Sequence, residues 1–152
     1  MLQCAVDAWR CALKPAPTGY SGTPLSRKLG LKSGMRVLDV DAPAHFRALL
    51  ADAPSDLIWL SRVIAFDFAI AFATLSASVR AAFVKLEPKL AQDGMVWISW
   101  PKKASAVKTD LDENVVRKIG LDAGLVDVKV CAIDATWSGL KFVRRVRDRV
   151  KS

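Results

Sequence analysis

The chain has 152 residues and a mass of 16.6 kDa, enough for one ordinary domain and too little for two. Apolar residues make up 52% and charged residues 25%, which excludes disorder, collagen-like repeats and low complexity as whole-chain descriptions. Net charge is +8 with a pI near 9.7, a balance that permits nucleic acid or acidic partners without demanding them.

Residues 1–18 end in Lys14-Pro15-Ala16-Pro17 and read as an arm, with a domain at 19–146 and a basic tail at 147–152. Thr23 suits an N-cap and Pro24 the first position of a short helix that Gly30 closes. Residues 35–40 form a short apolar strand. Pro43 opens a helix with Phe46, Leu49 and Leu50 on one face, and residues 56–61 make a second strand. Residues 63–79 are the most apolar stretch, but Asp67 lies inside it and Arg62 and Arg80 flank it. A membrane span needs about 20 predominantly apolar residues and tolerates a central Asp poorly. The stretch therefore reads as a buried helix with its approach loop, the helix running from about Phe72 to Leu86 until Pro88 breaks it.

Asp93-Gly94 turns the chain into a strand at 95–100, whose continuous apolar run suits burial on both faces. A basic loop follows at 101–105. Thr109 and Asp112 resemble a capping box for a helix bearing Leu111, Val115 and Ile119 and ended by Gly124. Strands at 125–133 and 139–146, joined by the tight connection 134–138, pair antiparallel. Strands alternating with helices define an α/β domain: a three-layer, mostly parallel Rossmann-like sheet with right-handed crossovers, ending in an antiparallel hairpin.

Cys4, Cys11 and Cys131 are too few and too scattered for a disulfide framework, which points to a reduced, cytoplasmic setting. No histidine stands near Cys4 and Cys11, so no metal is implied. Asp7 and Arg10 interrupt what a signal peptide would keep apolar, so no secretory leader and no membrane anchor are expected.

The element order resembles a truncated methyltransferase fold. Residues 34–40 resemble its first strand, 55–60 its fourth, and 90–98 the entry into its fifth. Only fifteen residues lie between 40 and 56, room for one crossover helix and not for the two strands usual there. More narrowly, GYSGTPL at 19–25, WISWPKK at 97–103 and TWSGLK at 136–141 together resemble a bacterial family of domains of unknown function. That likeness covers roughly residues 18–146 and implies a fold but no activity. Residues 1–17 fall outside it, and residues 62–73 are more apolar than its corresponding stretch.

A nucleotide-type cofactor needs glycines after the first strand, so that backbone can approach it closely. Here no glycine stands between Gly34 and Gly94, and Pro43 removes a backbone donor from the turn. Asp56 precedes its strand and so does not take the place of the acidic residue that would grip a ribose. No cofactor is expected, and methyl transfer is disfavoured. His45, the single histidine, reads as a surface residue, and neither Ser61 nor Ser99 sits in a Gly-x-Ser-x-Gly elbow. Cys131 alternates with apolar neighbours and reads as core.

Ligands of open parallel sheets bind outside the carboxyl ends of the strands. Those ends carry Asp39 and Asp41, then Ser61 and Arg62, then Ser99-Trp100-Pro101-Lys102-Lys103. Asp39 and Asp41 could be an acid–base pair or could cap the Pro43 helix. Lys102 and Lys103 beside an edge Trp100 could hold an anion or stack an aromatic ring; the alternative is a solvated turn with Trp100 packed on a helix. Tyr20 and Ser21 open onto a helix N-terminus, and Trp137 and Ser138 sit in the terminal hairpin; both are candidate contacts or plain turns.

The reading is a non-catalytic binding or interaction module on a degenerate methyltransferase-like fold. Its alternative is an enzyme that binds a small molecule or anion at the carboxyl edge near Trp100 to Lys103. An anionic small molecule, a protein partner or a homodimer all remain open. Nucleic acid is not expected. Residues 141–152 hold Lys141, Arg144, Arg145, Arg147, Arg149 and Lys151 against Asp148 alone, leaving the rest of the chain near neutrality. Alternation turns several of these arginines toward water, where they guard a sheet edge.

Overall fold

The computed structural model describes residues 24–145. Six strands form one sheet: β1 (Arg36–Val40), β2 (Ile58–Trp59), β3 (Phe66–Phe72), β4 (Leu90–Pro101), β5 (Leu125–Ala132) and β6 (Trp137–Arg144). Their spatial order is β2-β1-β3-β4-β6-β5. The first four run parallel, while β6 is antiparallel to both β4 and β5. The mostly parallel sheet with its antiparallel hairpin is thus the α/β architecture expected. The arm at 1–18, the loop holding Tyr20 and Ser21, and the tail at 147–152 lie outside the described residues.

Each side of the sheet buries its own core. Leu38, Ala69, Ala71, Val96, Ile98, Leu140 and Phe142 point to one side, where α2 (Ser76–Leu86) and α3 (Glu113–Asp122) cover them. Val37, Phe68, Ile70, Phe72, Met95 and Trp97 point to the other, with α1 (Leu25–Leu29) and a 3₁₀ turn at Arg47–Leu50. Gly120 of α3 lies against Phe142: a Cβ there would sit 2.0 Å from the ring, so only glycine lets the helix pack so closely. Trp97 is fully buried, and its Nε1–H donates to the Leu29 carbonyl at 3.0 Å, fastening α1 to the sheet.

The apolar stretch at 63–79 is not a helix with its approach. It supplies β3, a strand at the centre of the sheet, and α2 begins only at Ser76. All of Phe66–Phe72 except Asp67 is buried, and a strand covered on both faces lacks the alternation that separates strand from helix. β3, not residues 55–60, therefore holds the place beside β1 that the likeness assigned to the fourth strand. Asp67 is admitted by Arg36 of β1, which gives it two guanidinium bonds at 3.1 Å and its own N–H at 2.9 Å. The β3–β4 register shifts at this point, bringing the Asp67 carbonyl within 2.8 Å of a Cβ placed on Gly94. Asp93-Gly94 thus lies inside a twelve-residue strand rather than forming a turn.

β2 shrinks to two residues on the outer edge of β1. A parallel crossover ordinarily takes a dozen residues or more, usually a helix. Here residues 60–65 cross β1 without one, with Leu60 and Val63 packed on the α2 side. So short a return is feasible because β2 stops at the level of Val37 and never climbs the sheet. The Pro43 segment is likewise shorter than expected, a 3₁₀ turn with no side-chain cap.

Local details also depart from expectation. Pro24 is the N-cap of α1 rather than its first residue. Asp112 caps α3 itself, accepting from the Val115 N–H at 2.9 Å, while Thr109 donates to the Thr74 carbonyl. Arg144 does not face water: its side chain is 15% exposed and bonds the Glu87 carboxylate and the carbonyls of Glu87 and Leu90. An arginine at this point serves better as a fastener for the end of α2 than as a guard on the sheet edge.

Candidate functional site

The strand order reverses between β1 and β3, the place where open α/β sheets bind ligands. β1 ends at Val40, and Asp41 then takes a left-handed turn at φ 55°, a conformation that Asp tolerates better than most residues with a side chain. On the α2 side, Val40, Asp41, Ala71, Ala73, Ala82 and Lys85 line a cavity of about 180 Å³. Small-molecule sites generally run from about 300 to 1,000 Å³.

On the opposite side, Asp39 is taken up within the protein. Arg47 bonds its two oxygens at 3.2 and 3.3 Å, and the same guanidinium lies 4.1 Å over the Trp59 ring of β2. A planar cation suits both contacts, one through its donor fork and one through its face. Neither Asp39 nor Asp41 caps the turn that follows.

His45 is a surface residue, but not an idle one. Its Nε2 lies 2.8 Å from Asp134, joining the β1 turn to the β5–β6 connection. Asp134 also accepts the N–H groups of Thr136 and Trp137 at 2.8 Å each. Burial pushes its carboxyl up, but His45 and these N–H groups outweigh that and hold it below the usual range. Beneath them Phe46, Phe72 and Trp137 meet edge to face with centroids 5.1 Å apart.

At the end of β4 the candidates separate. Trp100 is 5% exposed and packs in the core with residues of α3, so its indole is not an edge platform. Lys103 begins an exposed 3₁₀ turn. Lys102 extends the ladder through its N–H to the Thr136 carbonyl, and its Nζ is buried without a hydrogen-bond partner among the described residues. Ser99 is fully buried with its Oγ likewise unpartnered. Ser138 pairs with Trp100 and Ala132 across the hairpin. The structure thus brings Asp39, Asp41 and Trp137 to one edge but takes Trp100 out of it.

Arg47, Trp59 and Asp134 were not among the sequence candidates. Nothing in the spacing of Arg47 marks it for a carboxylate eight residues back. Among the described residues no three His, Cys, Asp or Glu side chains converge as a metal site, and no helix is long and apolar enough to cross a membrane. A second groove, about 380 Å³ and lined by Arg80, Phe83, Val84 and Ile119, lies between α2 and α3 rather than at the carboxyl edge.

No family model matches the chain, and no curated protein matches it. Its fold is nevertheless like that of solved structures, several of them methyltransferases by name. LepI in complex with SAM is 12% identical with a TM-score of 0.52, over 88% of this chain and 49% of that one. The pyocyanin biosynthetic protein PhzM is 12% identical with a TM-score of 0.61, over 80% and 53%. A SAM-dependent methyltransferase from Aquifex aeolicus is 15% identical with a TM-score of 0.54, over 76% and 85%. The chain spans about half the length of LepI and PhzM. The fold is a truncated, Rossmann-like methyltransferase-type sheet.

The residues at the switch point do not fit the adenosyl-methionine that this fold implies. The turn after β1 has Asp41 and Pro43 where a close backbone approach needs glycine. Where a carboxylate would take the ribose, β2 is followed by Leu60-Ser61-Arg62, and the guanidinium over its Trp59 is that of Arg47.

Proposed function

We propose that the protein is a non-catalytic binding module built on a methyltransferase-like fold. The observation that carries this reading is the Arg47 contact with both Asp39 and Trp59 at the end of β1. It uses internally the strand-end groups that a cofactor would otherwise meet, and the cavity on the other face of the sheet measures only about 180 Å³. The narrower likeness to a bacterial family of domains of unknown function agrees with this reading and adds no activity to it.

Titration calorimetry with adenosyl-methionine tests it. No saturable heat is expected at millimolar ligand. Saturable binding in the low micromolar range, worth about 7–8 kcal/mol, would overturn the reading.

A further inference from the structure

The groove between α2 and α3 takes no part in the carboxyl edge. It lies at the opposite end of the sheet, where α2 leads into β4 and α3 into β5. Phe83 and Ile119 form its buried floor, and Val84 stands on its rim 78% exposed. Glu87, the C-cap of α2, and Ala123, the C-cap of α3, both line it. The last carbonyls of a helix carry partial negative charge. Glu87 and Asp122 add two carboxylates, and α3 has no basic residue in its last turn. Arg80, the cation among the described lining residues, bonds the Ser76 hydroxyl toward the start of α2. The mouth of the groove is therefore apolar at its base and negative at its rims.

The chain itself brings a matching segment to this place. β6 passes beneath the two helices: the Phe142 ring meets Phe83 edge to face at 5.2 Å and lies against Gly120. Two residues on, Arg144 bonds the Glu87 carboxylate at 2.6 Å and the carbonyls of Glu87 and Leu90 at 2.8 Å each. The strand thus leaves the sheet fastened to a residue of the groove wall. Residues 146–152, outside the described part, read Val-Arg-Asp-Arg-Val-Lys-Ser. Val146 and Val150 are four apart, a spacing that puts them on one side of a strand or of a helical turn. Arg147, Arg149 and Lys151 against Asp148 alone supply positive charge. Seven residues span up to about 23 Å, and the α2 wall from Glu87 back to Arg80 is about 10 Å long, so the segment can lie along it.

We propose that residues 146–152 dock in the groove between α2 and α3 of their own chain. Val146 and Val150 cover Val84 and the apolar floor, and the basic residues answer Glu87, Asp122 and the two helix ends. Attachment through Arg144 makes the contact intramolecular, at an effective concentration of about a millimolar, which favours this occupant over a second copy. The inference uses no switch-point residue, so its failure leaves the reading of the carboxyl edge untouched.

Limited trypsin digestion of the full chain tests it, read by mass as cleavage after Arg149. Where opening and closing are fast, cleavage follows the population of the open form. Val84→Asn withdraws an exposed apolar contact without touching the core, which thermal unfolding verifies, and should speed cleavage about fivefold. Asp122→Asn should speed it by about twofold, as befits an exposed charge. Val128→Asn, at an exposed valine of β5 that does not line the groove, should leave the rate unchanged. Equal rates in the parent and in Val84→Asn overturn the docking. Protection that rises with protein concentration overturns it too, since a second copy is then the occupant.

Discussion

The two sides of the sheet flanking β3 are built to different standards. On one side, β4, β6 and β5 run eight to twelve residues each and share long ladders, with α3 closing the hairpin. On the other, β1 has five residues, β2 has two, and bends and a 3₁₀ turn stand in for helices. The unmet polar groups are distributed the other way. On the short side Asp39, Arg47 and Arg36 all find partners within the chain. On the long side Arg144 and Asp127 are paired as well, but the Ser99 Oγ and the Lys102 Nζ are buried with no hydrogen-bond partner among the described residues, and two lysines, Lys129 and Lys141, face each other. Buried polar groups are ordinarily satisfied, so the well-built side is where an unmade bond most needs an explanation.

The largest expected effect tests where the stability resides. Trp97→Ala removes a fully buried indole and its bond to Leu29, and should cost about 3–5 kcal/mol. Trp59→Ala, in a half-buried edge strand, should cost about 1 kcal/mol. Urea unfolding midpoints at unchanged slope measure both. Equal losses would show that β2 is as much a part of the core as β4.

How far the sequence revealed this division depends on the kind of signal each part leaves. Met95–Trp100 is a covered strand bounded by a proline, and its assignment needed only the apolar run. The hairpin was legible because Val126 to Val130 alternate. Phe66–Phe72 was not, because a strand buried on both sides carries no period and its one polar residue resembled an interruption. Its Asp67 is intelligible only once Arg36, thirty-one residues earlier, is seen beside it. The candidate edge fared similarly. Its location followed from the parallel sheet, yet whether Asp39 faces a ligand or Arg47 depends on a contact between elements, for which a single sequence has no marker. The opposition of Lys129 and Lys141 was not legible either, because the connection expected at 134–138 is centred one residue beyond the observed centre at Ala135.

The seam between the two sides gives a second prediction, smaller and dependent on pH. The hydrogen bond from Arg36, aided by the Arg36 N–H, holds the Asp67 carboxyl below the usual range against the opposing effect of burial. A carboxyl lowered by folding stabilises the folded state above its unfolded value, about 3.9, and that contribution is lost as pH falls through its lower folded value. Asp67→Asn should therefore cost about 1 kcal/mol at neutral pH, since Arg36 is 41% exposed and partly screened. The difference from the parent should shrink as the pH falls below the unfolded value and disappear once it is below the lower folded one. A difference that persists there would make the bulge geometry, not the charge, the source of the loss.

The smallest expected change in stability bears most directly on the short side. Arg47 is 56% exposed, so Arg47→Ala should cost no more than about 1 kcal/mol through the lost ion pair and ring contact. What it frees is Asp39 and the face of Trp59, the two groups nearest to a cofactor's path. If Arg47 alone closed that path, the variant would acquire saturable adenosyl-methionine binding. None is expected, because the left-handed Asp41 and the missing N–H of Pro43 remain in the turn where backbone donors would be needed. Calorimetry on Arg47→Ala therefore separates a crevice blocked by one side chain from a turn whose backbone no longer has the form of a cradle. Binding gained there would trace the absence of cofactor binding to a single side chain rather than to the backbone of the turn.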